Sequence, residues 1–227
     1  MQKPPFVEDQ IYHIYNRGVE KRKAFLDKQD HLRFIHNLFE FNNEEPIINT
    51  SYHFDPQFPG EIRHLKQERK PRRLLVEILM FTLMSNHFHL ILKQKKEKGI
   101  VKFMQKMGTG YTMYFNKKYQ RVGGLFQGRF KAVLVKDEAH LIHLSFYVHT
   151  NPLDLFHYRG STSIMELRRY RWGSFLDYIG KKNFPSVTSR ELFLELFGGQ
   201  KEYEKATKEW IAGREDNIEK IKEVKID

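Results

Sequence analysis

"MSNHFHLILK", residues 84–93, alternates with a period of two. His87, His89 and Ile91 fall on one side of an extended chain, and Phe88, Leu90 and Leu92 fall on the other. The second set is wholly apolar and predicts packing against helices. The first then faces away from that core, with its two imidazoles one pleat repeat, roughly 7 Å, apart. Both can reach one cation at that spacing. A satisfied polar patch would look the same locally, so the rest of the chain has to decide. No HExxH accompanies the pair and the chain has no cysteine, which argues against a closed structural zinc site.

Working outward, "RLLVEILMFTLM" (73–84) reads as a strand that forms a hairpin with 87–93 across Ser85-Asn86. "QIYHIYNRG" (10–18) reads as a first strand ending at Gly18. In "DKQDHLRFIHNLFEFNN" (27–43), Leu32, Ile35, Leu38 and Phe39 have helical spacing, with Asp30 as the expected N-cap. A second helix is predicted over 100–118. "GGLFQGRFKAVLV" (123–135) returns to strand, broken at Gly128, and Asp137 opens a helix reaching Thr150, before Asn151-Pro152. This β-α-β-β-α-β-α order predicts an α+β sandwich with an antiparallel or mixed sheet and helices on one face. Pro46, Pro56, Pro59, Gly60 and Pro71 make 44–72 a long mobile insertion, and 159–227 reads as a helical C-terminal extension.

Composition narrows the partner. The formal net charge is +11, from 39 Lys+Arg against 28 Asp+Glu. The excess is clustered in "KQERKPRR" (66–73), "KQKKEK" (93–98) and "NKKYQR" (116–121), among 19 Phe and 11 Tyr. Basic clusters interleaved with aromatics suit a phosphate backbone and unstacked bases. No apolar run is long enough to span a membrane, and the absence of cysteine fits a reducing cytoplasm.

Two histidines leave several positions of a six-coordinate ion open to oxygen, a donor mix that suits Mg²⁺ or Mn²⁺. A scissile phosphate would join that metal to the basic charge. With no cysteine, GxSxG elbow, Walker A loop or dinucleotide fingerprint, tyrosine is the natural nucleophile. Tyr111 and Tyr114 share a helical stripe with Met104 and Met107 and read as core or rim; Tyr12 and Tyr15 alternate on the first strand. Tyr147 differs. His140, His143, Tyr147 and Asn151 fall within about 80° of one another on a helix, beside an apolar face of Leu141, Leu144 and Val148. From there the Asn151 amide oxygen can reach the same cation as His87 and His89.

"MSNHFHLIL", "GGLFQGRFKAVLV" and "FYVHTNP" in that order, with "YHIYNRG" before them and "YRWGSF" after, resemble the single-tyrosine HUH transposases, in their REP-associated tyrosine transposase branch. The likeness runs over roughly residues 8–180. It implies a ferredoxin-like (RRM-like) fold with an HUH nuclease domain over 1–158. It implies His87 and His89 as metal ligands, Asn151 in place of a helix-borne third ligand, and Tyr147 as the nucleophile that forms a 5′-phosphotyrosine with single-stranded or hairpin DNA. Arg17, Lys93, Lys95, Lys96, Arg121, Arg129 and Lys131 are then the candidate DNA-backbone contacts. The setting expected is a bacterial cytoplasm near the nucleoid, with the protein a monomer or homodimer. Two other readings keep part of the pattern: a non-catalytic hairpin-binding protein, and a metal-dependent nuclease that uses water.

Overall fold

The structure, a computed structural model, describes residues 4–45, 72–155 and 163–213. The insertion expected over 44–72 therefore lies almost wholly outside the described residues. Four strands form one antiparallel sheet: β1 (Ile11–Arg17), β2 (Val76–Leu83), β3 (His87–Gln94) and β4 (Lys131–Leu134), in the spatial order β2-β3-β1-β4. With α1 (Lys28–Glu40) between β1 and β2, and α2 (Gly99–Lys118) between β3 and β4, the connectivity is the ferredoxin-like βαββαβ. A third long helix, α3 (Glu138–Thr150), follows β4 and passes into a 3-10 turn, Asn151–Leu155.

The alternation of β3 sorts its side chains as the sequence predicts. Phe88, Leu90 and Leu92 join Phe34 and Leu38 of α1 and Phe103, Met107 and Tyr111 of α2 in one buried cluster. Ile91 goes to the other face, with Leu79 and Met80 of β2 and Leu141, Leu144 and Val148 of α3. The register shift between Ile78 and Met80 turns both Leu79 and Met80 toward that second face. The sheet is thus covered on both sides, by α1 and α2 on one and by α3 on the other. The histidine face points away from the first core, as expected, but into a second one instead of solvent.

The C-terminal segment is helical: α4 (Ile164–Arg169), α5 (Phe175–Tyr178), α6 (Glu191–Phe197) and α7 (Gln200–Ala212). Phe175, Tyr178, Phe193, Tyr203 and Trp210 complete the second cluster. Residues 172–174 also line the free edge of β2: Leu83 N donates to Trp172 O at 2.9 Å, Ser174 N to Phe81 O at 3.0 Å, and Tyr178 Oη to Leu79 O at 2.7 Å. An edge that would otherwise offer unpaired backbone groups is closed.

Two local expectations need correction. The N-cap of α1 is Asp27, whose carboxylate accepts from Asp30 N at 3.0 Å, while Asp30 at N3 takes the N–H groups of Leu26 and Asp27. The strand expected over 123–135 shrinks to Lys131–Leu134, because Gly123 (φ 84) and Gly128 (φ 63) take the loop out of extended geometry. Among the described residues no helix is long and apolar enough to cross a membrane.

Candidate active site

β3 begins at His87 directly after the Ser85-Asn86 turn, so its first two inward side chains are the two imidazoles. His87 is partly buried and His89 wholly buried. Their ring centroids are 5.1 Å apart with the planes nearly perpendicular, at 84°. α3 crosses above them. Tyr147 stands edge-on to His89, 5.3 Å between ring centroids and 88° between planes, and is only 7% exposed. One turn on, Asn151 Oδ1 lies 3.1 Å from His87 Nε2. Four residues singled out in the sequence thus converge on one spot between sheet and helix.

The hydrogen bonds around His87 are informative. Nδ1 lies 2.7 Å from Asn86 Oδ1, so it carries the proton and donates. In a neutral ring Nε2 then offers a lone pair, and it faces the Asn151 oxygen, another acceptor. A cation at the two acceptors, a doubly protonated ring, or an Asn151 amide turned to offer its Nδ2–H satisfies that contact. His89 Nε2 is buried and has no hydrogen-bond partner among the described residues. A buried polar atom left unanswered costs about 1–3 kcal/mol, so a third party is called for here. Among the described residues no group of three or more His, Cys, Asp or Glu side chains is placed to hold a metal ion. The donor set is instead two imidazoles and one amide oxygen, which fits a hard divalent ion that takes further oxygens from a phosphate.

A third histidine belongs to the cluster. His13, at the middle of β1, places Nε2 2.8 Å from His89 Nδ1 and is completely buried. Burial pushes His13 down to about 3, with a smaller contribution from nearby His140, and burial together with His13 and His87 holds His89 well below its ordinary value. Both rings are neutral at neutral pH. Tyr15 lies over the same pair, its centroid 4.9 Å from His13 and 6.1 Å from His89, and burial raises its pKa. Pairing of Tyr15 with His89 and of Arg17 with His87 brings β1 to this site. No spacing rule in the sequence marks His13, because its neighbours are set by strand register.

The remaining candidates divide. Arg17 is on β1 opposite His87, Lys131 pairs with Tyr15 and sits 5.8 Å above its ring, and exposed Arg129 is two residues before Lys131. These three lie at the histidine end of the sheet. Lys93, Lys95 and Lys96 lie at the far end of β3, roughly 20 Å away at 3.3 Å per residue, in ion pairs with Asp9, Glu77 and Glu44. Arg121 lies over Phe115 at the end of α2. Of the α3 stripe, His143 turns to Trp210 of α7, 5.3 Å between centroids. His149, between Tyr147 and Asn151, is buried against the C-terminal helices, with Nδ1 2.7 Å from Tyr203 Oη and Nε2 2.8 Å from Ser174 Oγ. Burial pushes its pKa down to about 3.

Residues 62–151, which include β2, β3, α2, β4, α3 and Asn151, match the family model of the IS200-like transposases. Over that stretch the chain is similar to the IS200-like transposases. No curated protein matches it in sequence. Among solved structures, the REP-associated tyrosine transposase bound to a REP hairpin superposes with a TM-score of 0.53 at 10% identity, over 83% of this chain and 90% of that one. At that identity the likeness speaks for the fold, and at 83% of this chain it extends beyond the stretch matched by the family model.

Proposed function

We propose that this protein is a transposase of the REP-associated branch, and that it nicks and rejoins single-stranded or hairpin DNA through a covalent 5′-phosphotyrosine at Tyr147. The observation that carries this reading is the convergence of Tyr147 and Asn151, from α3, on His87 and His89, from β3. Tyr147 Oη attacks the phosphorus, the P–O3′ bond breaks, and the departing oxygen takes up a proton to leave a free 3′-OH. The phosphotyrosine ester keeps the energy of the broken bond, so a second 3′-OH can displace the tyrosine and join two strands. His87, His89 and Asn151 would hold an ion of the Mg²⁺ or Mn²⁺ kind, which when bound supplies polarisation of the scissile phosphate. Placement of Arg17, Arg129 and Lys131 at the same end supports their contact with the strand backbone. A REP hairpin is what the structurally similar transposase binds, and a folded hairpin with a single-stranded flank is the substrate we assign.

The test is incubation of end-labelled hairpin DNA with the full chain and Mn²⁺, followed by denaturing electrophoresis. A covalent adduct that disappears in Tyr147→Phe is expected. Cleavage that persists in Tyr147→Phe would mark a water-using nuclease, and binding without cleavage would mark a hairpin-binding protein.

A further inference from the structure

His13 Nε2 and His89 Nδ1 are 2.8 Å apart, so one of them donates to the other, and which one does decides what each ring can do with its other nitrogen. If His13 Nε2 donated, His89 would accept at Nδ1 and carry its own proton on Nε2, beside Tyr147 and His87, and that nitrogen could then bind no cation. In the reverse arrangement His89 Nδ1 donates, its Nε2 presents a lone pair, and His13 carries its proton on Nδ1. Either way one buried N–H has no acceptor among the described residues, so it is the metal reading that separates the two.

The geometry points to His13 as a positioning residue: by accepting the His89 Nδ1–H through Nε2 it fixes the tautomer and plane of His89, so that His89 Nε2 is held as a ligand nitrogen. This rests on the metal reading of His87, His89 and Asn151 given above. Three features of the structure hold the two rings in a fixed hydrogen bond. The two ring planes lie within 4° of each other, so the shared hydrogen bond runs in the plane where nitrogen lone pairs lie. His13 is clamped on β1 between the paired strands β3 and β4, opposite Ile91 and Val133, and against the Tyr15 ring, which leaves it little freedom to rotate. Both rings are fully buried, so water does not compete for the bond. A ligand histidine generally has its second nitrogen fixed by a carboxylate, carbonyl or water, and removal of such a partner costs 10- to 100-fold in affinity. Here another histidine fills that place.

Two measurements test it. Long-range nitrogen–proton NMR spectra of the metal-free full chain, with isotope-labelled histidine, are expected to show His89 protonated at Nδ1 and His13 protonated at Nδ1 with a bare Nε2. The opposite pair of tautomers overturns the inference, without any variant having to fold. Mn²⁺ titration followed by electron paramagnetic resonance is expected to show an affinity lower by about 10- to 100-fold in His13→Phe, which keeps the ring but has no acceptor. His13→Gln, whose side-chain oxygen can reach the Nε2 position, is expected to restore most of it. Equal losses in Phe and Gln variants would mean that His13 merely fills space, and the inference falls. A Mn²⁺ site lost in His89→Ala yet indifferent to His13→Phe overturns this inference alone. Mn²⁺ binding indifferent to His89→Ala overturns the metal reading and this one with it.

Discussion

Asn151 sits where α3 gives way to its 3-10 turn, which puts its amide oxygen 3.1 Å from His87 Nε2 while Tyr147, one turn back, reaches His89. Its backbone keeps helical angles (φ −51, ψ −37) and its N–H donates to Tyr147 O, so the position of the side chain is set by α3 itself. Truncation of this side chain should therefore remove a donor without moving α3. Asn151→Ala is expected to weaken Mn²⁺ binding on the order of tenfold or more, the scale of losing one well-placed partner of a metal site, while Asn151→Asp, which retains an oxygen, binds at least as well. Isothermal titration of the two variants checks this, and equal affinities in Ala and wild type would remove Asn151 from the donor set. His149 shows how closely positioning and packing are combined in one helix. Two residues from Tyr147, it is fixed by Tyr203 and Ser174 and so helps hold the rotation of α3 that aims Tyr147 at the histidines.

At the scale of elements, α1 and α2 approach closely at Gly110, where a Cβ would stand 2.4 Å from Phe41 Cε2 and 2.6 Å from its Cζ. Phe41 is buried, so a Cβ at 110 forces its ring or the helix to shift. Gly110→Ala is expected to destabilise the protein by roughly 1–3 kcal/mol, the usual cost of overpacking, in spite of the better helix propensity of alanine; urea unfolding measures it. The N-terminus of α1 gives a pH prediction. Partial burial pushes the Asp27 carboxyl up, but Lys118 Nζ at 2.6 Å and the N–H of Asp30 outweigh it and hold the carboxyl below its usual range. A carboxyl lowered on folding stabilises above its unfolded pKa of about 3.9, and that stability is lost as pH falls through the folded value. Asp27→Asn should therefore flatten the fall in melting temperature below about pH 5; a fall as steep as in wild type would place the acid sensitivity elsewhere. These elements also show what was legible. The period-two pattern of 87–92 identified both faces of β3 correctly, since burial on either side leaves its mark on alternate residues. The α1 cap was read one turn late because Asp27 and Asp30 are chemically alike, and only the direction of their hydrogen bonds separates them. α3 is apolar on more than one side, lying between the sheet and α7, so its periodicity could not say which face meets the sheet. His13 was invisible for a related reason: its partner, 76 residues away in sequence, is assigned by the pairing of β1 with β3.

For the molecule as a whole, the open question of organisation is whether the C-terminal helices are an addition to a finished domain or part of it. The second face of the sheet favours the latter. Leu79, Met80 and Ile91 from the sheet and Leu144 and Val148 from α3 share one buried cluster with Phe175, Tyr178, Phe193, Tyr203 and Trp210. Fully burying a large apolar side chain contributes about 1.5–3 kcal/mol. The five C-terminal rings together are therefore comparable to the whole net stability of a typical domain, about 5–15 kcal/mol. A chain ending at residue 158 would forfeit them, uncover Phe146, leave the buried His149 imidazole without either partner, and reopen the backbone of the β2 edge at Phe81 and Leu83. We expect the full chain to unfold in one cooperative transition, and the chain cut after residue 158 to be unfolded or aggregated at room temperature. Calorimetry and circular dichroism of the two proteins check this. A truncated chain that melts cooperatively near the full-length temperature would instead establish 1–158 as an independent domain, with the helices docked on it as a separable layer. The outcome bears on the chemistry as well. α3 carries Tyr147 and Asn151, and with one side against the sheet it is held on the other by α7. If the extension is integral to the fold, the position of the nucleophile depends on residues more than fifty positions beyond it.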